Sequence, residues 1–447
     1  MLLFLKNIRG DKMNKVNPKI MPGFMELLPE DQILFNKMKD TIREVYEKYG
    51  FLPLDTPVLE YSEILLAKVG GETETQIYRF NKGETDISMR FDLTVPLARY
   101  VSLRQNELAF PFKRYQIGKV YRGERPQRGR FREFYQCDID VIGENLSKVY
   151  DAEIPAVIYD LFKKLDFGKF TIRINNRKVL NGFFNSLNLN EITTDILRII
   201  DKLEKIGEQG VKEELKELDL DDSTINKILE FVKIKGSNDE IISSLKKLNI
   251  ENEMFNEGLI ELEELVKNIR NFGVEEDYFE LDLTIARGLN YYTGTVYETK
   301  LDDYPKLGSV CSGGRYDDLT KYYSDQNLQG VGISIGLTRL FFQLKDAGII
   351  SAKENSLLKA LIIPFSNENM NYAINISKVL RGNNIICDVY YTEKGLKPKL
   401  KYANRLKVPY IILIGDDEEK ENKVALKDME SGEQKIITLE ELINILR

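Results

Sequence analysis

The chain has 447 residues, 43% apolar and 30% charged, with a formal net charge of −7. This length predicts about three domains, and the acidic balance excludes a protein that grips nucleic acid with its whole surface, so any RNA contact has to come from local basic patches. Three scattered cysteines (Cys137, Cys311, Cys387) argue against a cysteine-based zinc site and for a reducing compartment, and the complete absence of histidine removes the commonest general base and metal ligand.

No apolar run reaches transmembrane length, and the opening Met1-Leu2-Leu3-Phe4-Leu5 is too short for a signal-peptide core. A cytoplasmic protein without membrane contact is expected, with residues 1–20 as an extension. Residues 31–49 read as an amphipathic helix, since Leu34, Met38, Ile42, Val45 and Tyr49 recur at helical spacing. Gly50 ends it. Residues 51–59 read as a strand that Pro53 and Pro57 confine to an edge. Strand-like runs broken by turns fill 86–142, followed by a helix over 149–164 and a strand over 170–174.

From 177 to 256 the chain is rich in Leu, Ile, Lys and Glu and predicts a helical insertion. Ser237 and Glu240 have the spacing of a capping box, with Ile241, Ile242, Leu245 and Leu248 on one face. A plain structural bundle and a binding role are equally open for this segment. Gly-rich strand texture returns over 279–340, and a polar break at 352–356 reads as a linker. Strands over 360–364, 386–391 and 410–415 then alternate with helices over 370–381 and 396–406. Two short strands and a closing helix over 439–446 complete an α/β domain.

The densest chemistry lies in 112–132, which holds eight basic residues against one acid, Glu124. Charge runs are usually solvated faces, but strand parity sharpens this one. Across 133–141, Tyr135, Cys137, Ile139 and Val141 point one way and Gln136, Asp138 and Asp140 the other. On the preceding strand Gly118, Val120, Arg122 and Glu124 share a face, and 125–130 joins the two as a basic hairpin. Cations at one end of an antiparallel sheet and carboxylates further along suit a zwitterion beside a polyphosphate.

The run Tyr121-Arg122-Gly123-Glu124-Arg125-Pro126, with its basic loop and return strand, resembles motif 2 of class II aminoacyl-tRNA synthetases. The helix over 31–49 with the strand ending near Pro57 resembles motif 1, and the run from Gly330 through Gly336 to Arg339 resembles motif 3. The continuation from Phe134 to Asp140 is similar to the histidyl-tRNA synthetase family in particular. So are the run Ala286-Arg287-Gly288-Leu289-Asn290-Tyr291-Tyr292 and the run from Gly308 to Asp317, which includes Gly313, Gly314, Arg315 and Tyr316. Asn290 stands where many members have Asp, and Asp140 where some have Glu. The resemblance covers about residues 20–447.

It implies an α+β fold: an antiparallel-sheet catalytic domain in two parts (21–176 and 257–350) around the insertion (177–256), then an anticodon-binding domain (357–447). It implies Arg287 and Arg122 as catalytic residues acting on the ATP α-phosphate. ATP would be held by Arg122, Glu124, Arg130 and Arg339. Histidine would be bound by Asp92, Leu93, Thr94, Gln136, Asp140, Tyr291 and Tyr292. Gln127 and Arg128 would meet the tRNA acceptor end. The exposed stripe Lys397, Lys401 and Arg405, opposite a buried stripe of Leu396, Leu400 and Ala403, would serve the anticodon domain, with exposed aromatics nearby. Mg²⁺ would accompany ATP with few protein ligands, and motif 1 implies a homodimer.

The expected activity is ligation of histidine to its tRNA through histidyl-adenylate. Two other readings share the fold: a histidine-sensing regulatory subunit of ATP phosphoribosyltransferase, and an RNA-binding module without activity. The retained arginines and the extra C-terminal domain favour the enzyme. A histidine-charging enzyme that contains no histidine can also be translated when histidine runs out.

Overall fold

The computed structural model describes residues 16–67, 71–125, 127–285, 292–317, 319–323, 326–352, 356–392 and 394–447. The first amphipathic stretch is a helix over Pro29–Lys48. Its buried stripe is Phe35, Met38, Ile42, Val45 and Tyr46, with Phe35 and Tyr46 buried in place of the expected Leu34 and Tyr49, which are half-buried. The helix stops at Gly50, whose φ of 77° is a left-handed conformation that suits glycine. The Gly50 N–H donates to Glu47 O at 3.0 Å and the Phe51 N–H to Tyr46 O at 3.2 Å, the paired bonds of a Schellman stop.

The chain divides into two units. The first comprises residues 1–26, 46–163 and 168–343. Its strands, in chain order, are β1 (Leu52–Pro53), β2 (Leu59–Tyr61), β3 (Arg79–Lys82), β4 (Thr85–Met89), β5 (Phe112–Tyr121), β6 (Glu133–Gly143), β7 (Phe170–Asn176), β8 (Phe279–Leu281), β9 (Tyr292–Leu301), β10 (Ser309–Tyr316) and β11 (Gln329–Gly336). Eight of them form one sheet in the order β1-β5-β6-β11-β10-β9-β7-β8. All pairs from β5 through β7 are antiparallel; only the outermost pairs, β1 with β5 and β7 with β8, are parallel. The strand expected over 51–59 is two short pieces. β1 ends at Pro53 on the sheet edge, where a missing N–H breaks no ladder, and β2 belongs to a separate three-stranded sheet ordered β2-β4-β3.

The leucine- and lysine-rich region is helical, over Arg177–Ser186, Thr193–Ile200, Leu203–Lys216, Asp222–Val232, Asn238–Lys247 and Glu253–Asn271. Side-chain caps start four of these helices: Asn176, Asp221, Ser237 and Asn252 each accept a bond from a backbone N–H of the first turn. The capping box between Ser237 and Glu240 is present. Ile241, Ile242 and Leu245 are buried behind it, but Leu248 is the C-cap and is exposed.

The second unit comprises residues 27–45, 164–167 and 344–447. It contains β12 (Ala360–Pro364), β13 (Cys387–Val389), β14 (Tyr410–Ile414), β15 (Lys423–Asp428) and β16 (Gln434–Thr438). They form one sheet in the order β13-β12-β14-β15-β16. The first three strands are parallel, and β15 and β16 join antiparallel. Ile362, Ile412 and Val424 point into a core shared with Ile376, Leu380 and Leu442 of the helices over Met370–Gly382 and Leu439–Leu446. Leu361, Ile363 and Ile411 point the other way, onto Ala403 of the helix over Leu396–Leu406. A sheet covered on both faces explains its nearly continuous apolar strands.

Candidate active site

Three strands build the floor of the site. Register places Arg114 opposite Asp140, Gln116 opposite Asp138 and Gly118 opposite Gln136. On the other side of β6, Gly332 faces Asp140, Ser334 faces Asp138 and Gly336 faces Gln136. The polar parity of β6 therefore becomes a polar patch three strands wide. Above it lies a cavity of about 500 Å³, a size suited to a small-molecule substrate.

Asp92, Thr94, Gln136, Asp138, Asp140, Tyr292 and Tyr316 line this cavity together with Arg122, Glu124, Arg130 and Arg339. The candidates drawn from distant stretches of chain thus meet in one place. Leu93 is fully buried and does not line the cavity; its carbonyl accepts a bond from Arg114 Nη2 at 3.3 Å. Gln127 and Arg128 are exposed in the hairpin between β5 and β6, also outside the lining. Arg287 and Tyr291 lie outside the described residues.

Arg122 is fixed by stacking. Its guanidinium carbon lies 4.3 Å from the Phe91 ring centroid and 5.1 Å from that of Phe134, and its Nε–H donates to Phe91 O at 3.3 Å. Two rings hold the planar fork in one orientation, which suits bidentate recognition of phosphate or carboxylate. Glu124 Oε2 lies 3.5 Å from Arg130 Nη1. The Asp92 carboxylate accepts the N–H groups of Thr94 and Val95 at 3.1 and 2.9 Å, at the start of the helix over Thr94–Arg104. Burial pushes its pKa up, against those bonds and the positive field of Arg122.

The parity reading passed over Arg114, which is fully buried and ion-paired with Asp140 (Nη2 to Oδ2, 2.5 Å). Tyr316 was also missed as a site residue; its hydroxyl donates to Asp140 Oδ1 at 2.8 Å. Burial lifts Asp140 to a pKa of about 6 despite Arg114, and lifts Asp138 to about 7. Both omissions had a readable signal. Arg114 extends the even-numbered face of β5 back from Gly118, and Tyr316 stands within the Gly313–Asp317 signature. Gly332 leaves room for the pair, because a Cβ there would collide with Ile139 O and the Asp140 carboxylate.

Among the described residues no group of three or more Cys, Asp or Glu is placed to hold a metal. A divalent ion entering with ATP would take its ligands chiefly from phosphate and water. No described helix is long and apolar enough to cross a membrane.

In the second unit, Lys397, Lys401 and Arg405 are exposed along one helix, with Tyr391, Tyr402 and Phe365 exposed in the same unit. Tyr390 packs edge-on against Tyr402, with centroids 5.2 Å apart. Ala403 is buried and Leu400 half-buried, but Leu396 is exposed at the first turn. Lys399 is buried instead, donating to Pro364 O at 2.5 Å.

An antiparallel sheet with an arginine-flanked cavity on its motif 2 hairpin, and a separate α/β unit, is the architecture of a class II aminoacyl-tRNA synthetase. The family model for histidyl-tRNA synthetase matches residues 23–340, and that for an anticodon binding domain matches 359–447. A histidine–tRNA ligase from Clostridium tetani is 61% identical over 98% of this chain and 99% of its own length. The crystal structure of histidyl-tRNA synthetase from Nostoc sp. PCC 7120 superposes with a TM-score of 0.89 at 42% identity, covering 97% of this chain and 99% of that one. The chain belongs to the histidyl-tRNA synthetase family. An ATP phosphoribosyltransferase regulatory subunit/histidyl-tRNA synthetase from Bacillus halodurans C shares the fold, with a TM-score of 0.72 at 22% identity over 86% of this chain and 96% of its own.

Proposed function

We propose that the chain is a histidine–tRNA ligase that activates L-histidine with ATP and transfers the histidyl group to the 3′ end of its cognate tRNA. The observation that carries this reading is the single cavity lined both by Arg122, Arg130 and Arg339 and by Asp92, Gln136 and Asp140. A polyphosphate fits the first group and a cationic amino acid the second. In the activation step the histidine carboxylate attacks the α-phosphorus of ATP, an O–P bond forms, the bond to the β-phosphate breaks and pyrophosphate leaves. The work is positioning and charge stabilisation, so a chain without histidine can do it.

In this reading Arg122 and Arg287 hold the α-phosphate, Glu124 contacts the adenine, and Arg130 and Arg339 hold the β/γ end. Asp92, Thr94 and Gln136 surround the α-amino group, with Leu93 packed behind them. Asp140, Tyr291 and Tyr292 surround the imidazole. Mg²⁺ arrives with ATP. Gln127 and Arg128 meet the tRNA acceptor end, and Lys397, Lys401 and Arg405 with the nearby tyrosines serve its anticodon loop. The enzyme works in the cytoplasm as a homodimer, and exposed Leu59, Tyr61 and Phe80 on the three-stranded sheet suit a covered face. Residues 21–176 and 257–350 form the catalytic domain around an insertion at 177–256, with the anticodon-binding domain at 357–447.

The regulatory-subunit reading is disfavoured by the anticodon-domain match and by the retained arginines. Charging of tRNA by purified protein tests the proposal. Arg287→Ala is expected to lose most adenylation while histidine still binds; a variant with wild-type adenylation would remove Arg287 from the mechanism.

A further inference from the structure

Asp138 occupies the centre of the three-strand floor. It lines the cavity, is 2% exposed, and its Oδ1 has no hydrogen-bond partner. The atoms around it are equally open: Arg114 Nε and Nη1, Gln116 Oε1 and Gln136 Oε1 are buried without partners. Asp140 differs. One of its oxygens accepts from Tyr316 and the other from Arg114. One fully buried guanidinium therefore serves two carboxyl groups, which leaves either one negative charge or one proton on the pair.

Alternate residues of a strand stand roughly 6.6–6.8 Å apart on one face. Gln136, Asp138 and Asp140 thus form a row, and a ligand with its α-amino group toward Gln136 and its ring toward Asp140 passes over Asp138. We propose that Asp138 is a specificity-determining residue of the amino-acid pocket: its open oxygen is a second acidic contact for the substrate imidazole, and it exchanges one proton with the ring. This inference rests on histidine being the substrate.

The proton count balances. Below about pH 7 the empty cavity holds that proton on Asp138. When a neutral ring docks, that proton passes from the carboxyl to a ring nitrogen, leaving carboxylate beside imidazolium with no net uptake. The match is close, because burial holds Asp138 at about 7 and a free imidazole titrates near about 6.5. The charged or titratable groups facing Asp138 are Arg114 from β5, Asp140 from its own strand, Asp92 ahead of the helix over Thr94–Arg104, Cys311 from β10 and Tyr46. Burial drives the Cys311 thiol and the Tyr46 hydroxyl far above neutrality, so neither competes for this proton.

The test is equilibrium dialysis of labelled L-histidine against the full-length protein and its Asp138→Asn variant, between about pH 5.5 and 9. Wild type is expected to bind best near pH 7 and to weaken by up to about tenfold per pH unit above it, as the shared proton is lost. Asp138→Asn has no proton to give, so its affinity rises through the ring pKa and stays level above it. A single cooperative thermal unfolding transition reports that the variant is folded. Parallel profiles overturn the proposal; should the variant not fold, a wild-type affinity that holds steady above pH 7 overturns it equally. If neither protein binds histidine at any pH, the substrate assignment fails instead.

Discussion

The Arg114–Asp140 pair joins β5 to β6 beneath the cavity. Removing the cation strands a carboxyl that is itself buried, so Arg114→Ala is expected to destabilise the first unit by about 3–5 kcal/mol; a thermal unfolding midpoint equal to wild type would contradict this. Asp138 makes stability depend on pH. Its folded pKa of about 7 lies above the usual carboxyl value of about 3.9. Between those values the native state holds more protons than the unfolded one, so this residue's contribution is full below about pH 4 and is lost as pH rises through about 7. Asp138→Asn should therefore gain thermal stability relative to wild type as pH rises across that window. Gly332→Ala is expected to weaken histidine binding more than ATP binding, since a methyl group meets the Asp140 carboxylate; equal losses in two binding titrations would point to general damage. Parity made the face of Gln136, Asp138 and Asp140 legible, because alternation is a property of one strand. Cross-strand register between β6 and β11 is not, because nothing local in the chain records which residue of 329–336 stops beside Asp140.

At the scale of elements, legibility followed the strength of local rules. The helix over Leu396–Leu406 and the strand over Ala360–Pro364 have the limits that periodicity predicts. The capping box at Ser237 was readable because both partners lie within four residues of each other. Ser237→Ala should lower stability by about 1 kcal/mol, and an unchanged unfolding midpoint would show that the tertiary contacts of this helix carry it alone. Prediction failed at helix ends. Leu248 and Leu396 fit an apolar stripe by spacing, yet each sits in a terminal turn that projects past its neighbours. Lys399 reverses the expectation for a lysine on a basic helix, because its ammonium satisfies the Pro364 carbonyl at the end of a buried strand.

Across the whole molecule, the acidic total conceals basic residues at two places that matter, the hairpin between β5 and β6 and the helix over Leu396–Leu406. The histidine count of zero also belongs to this scale. If it supports synthesis during histidine shortage, pulse labelling of starved cells should show this protein made at a sustained rate while histidine-containing proteins stall; a stall in step with the others would remove that meaning. The central claim is that one cavity joins ATP to histidine. Its most direct test is amino-acid-dependent exchange between pyrophosphate and ATP, run with purified protein, Mg²⁺ and each amino acid in turn. Exchange with histidine alone is the predicted result; no exchange with histidine, or equal exchange with an amino acid lacking a ring nitrogen, would contradict the account.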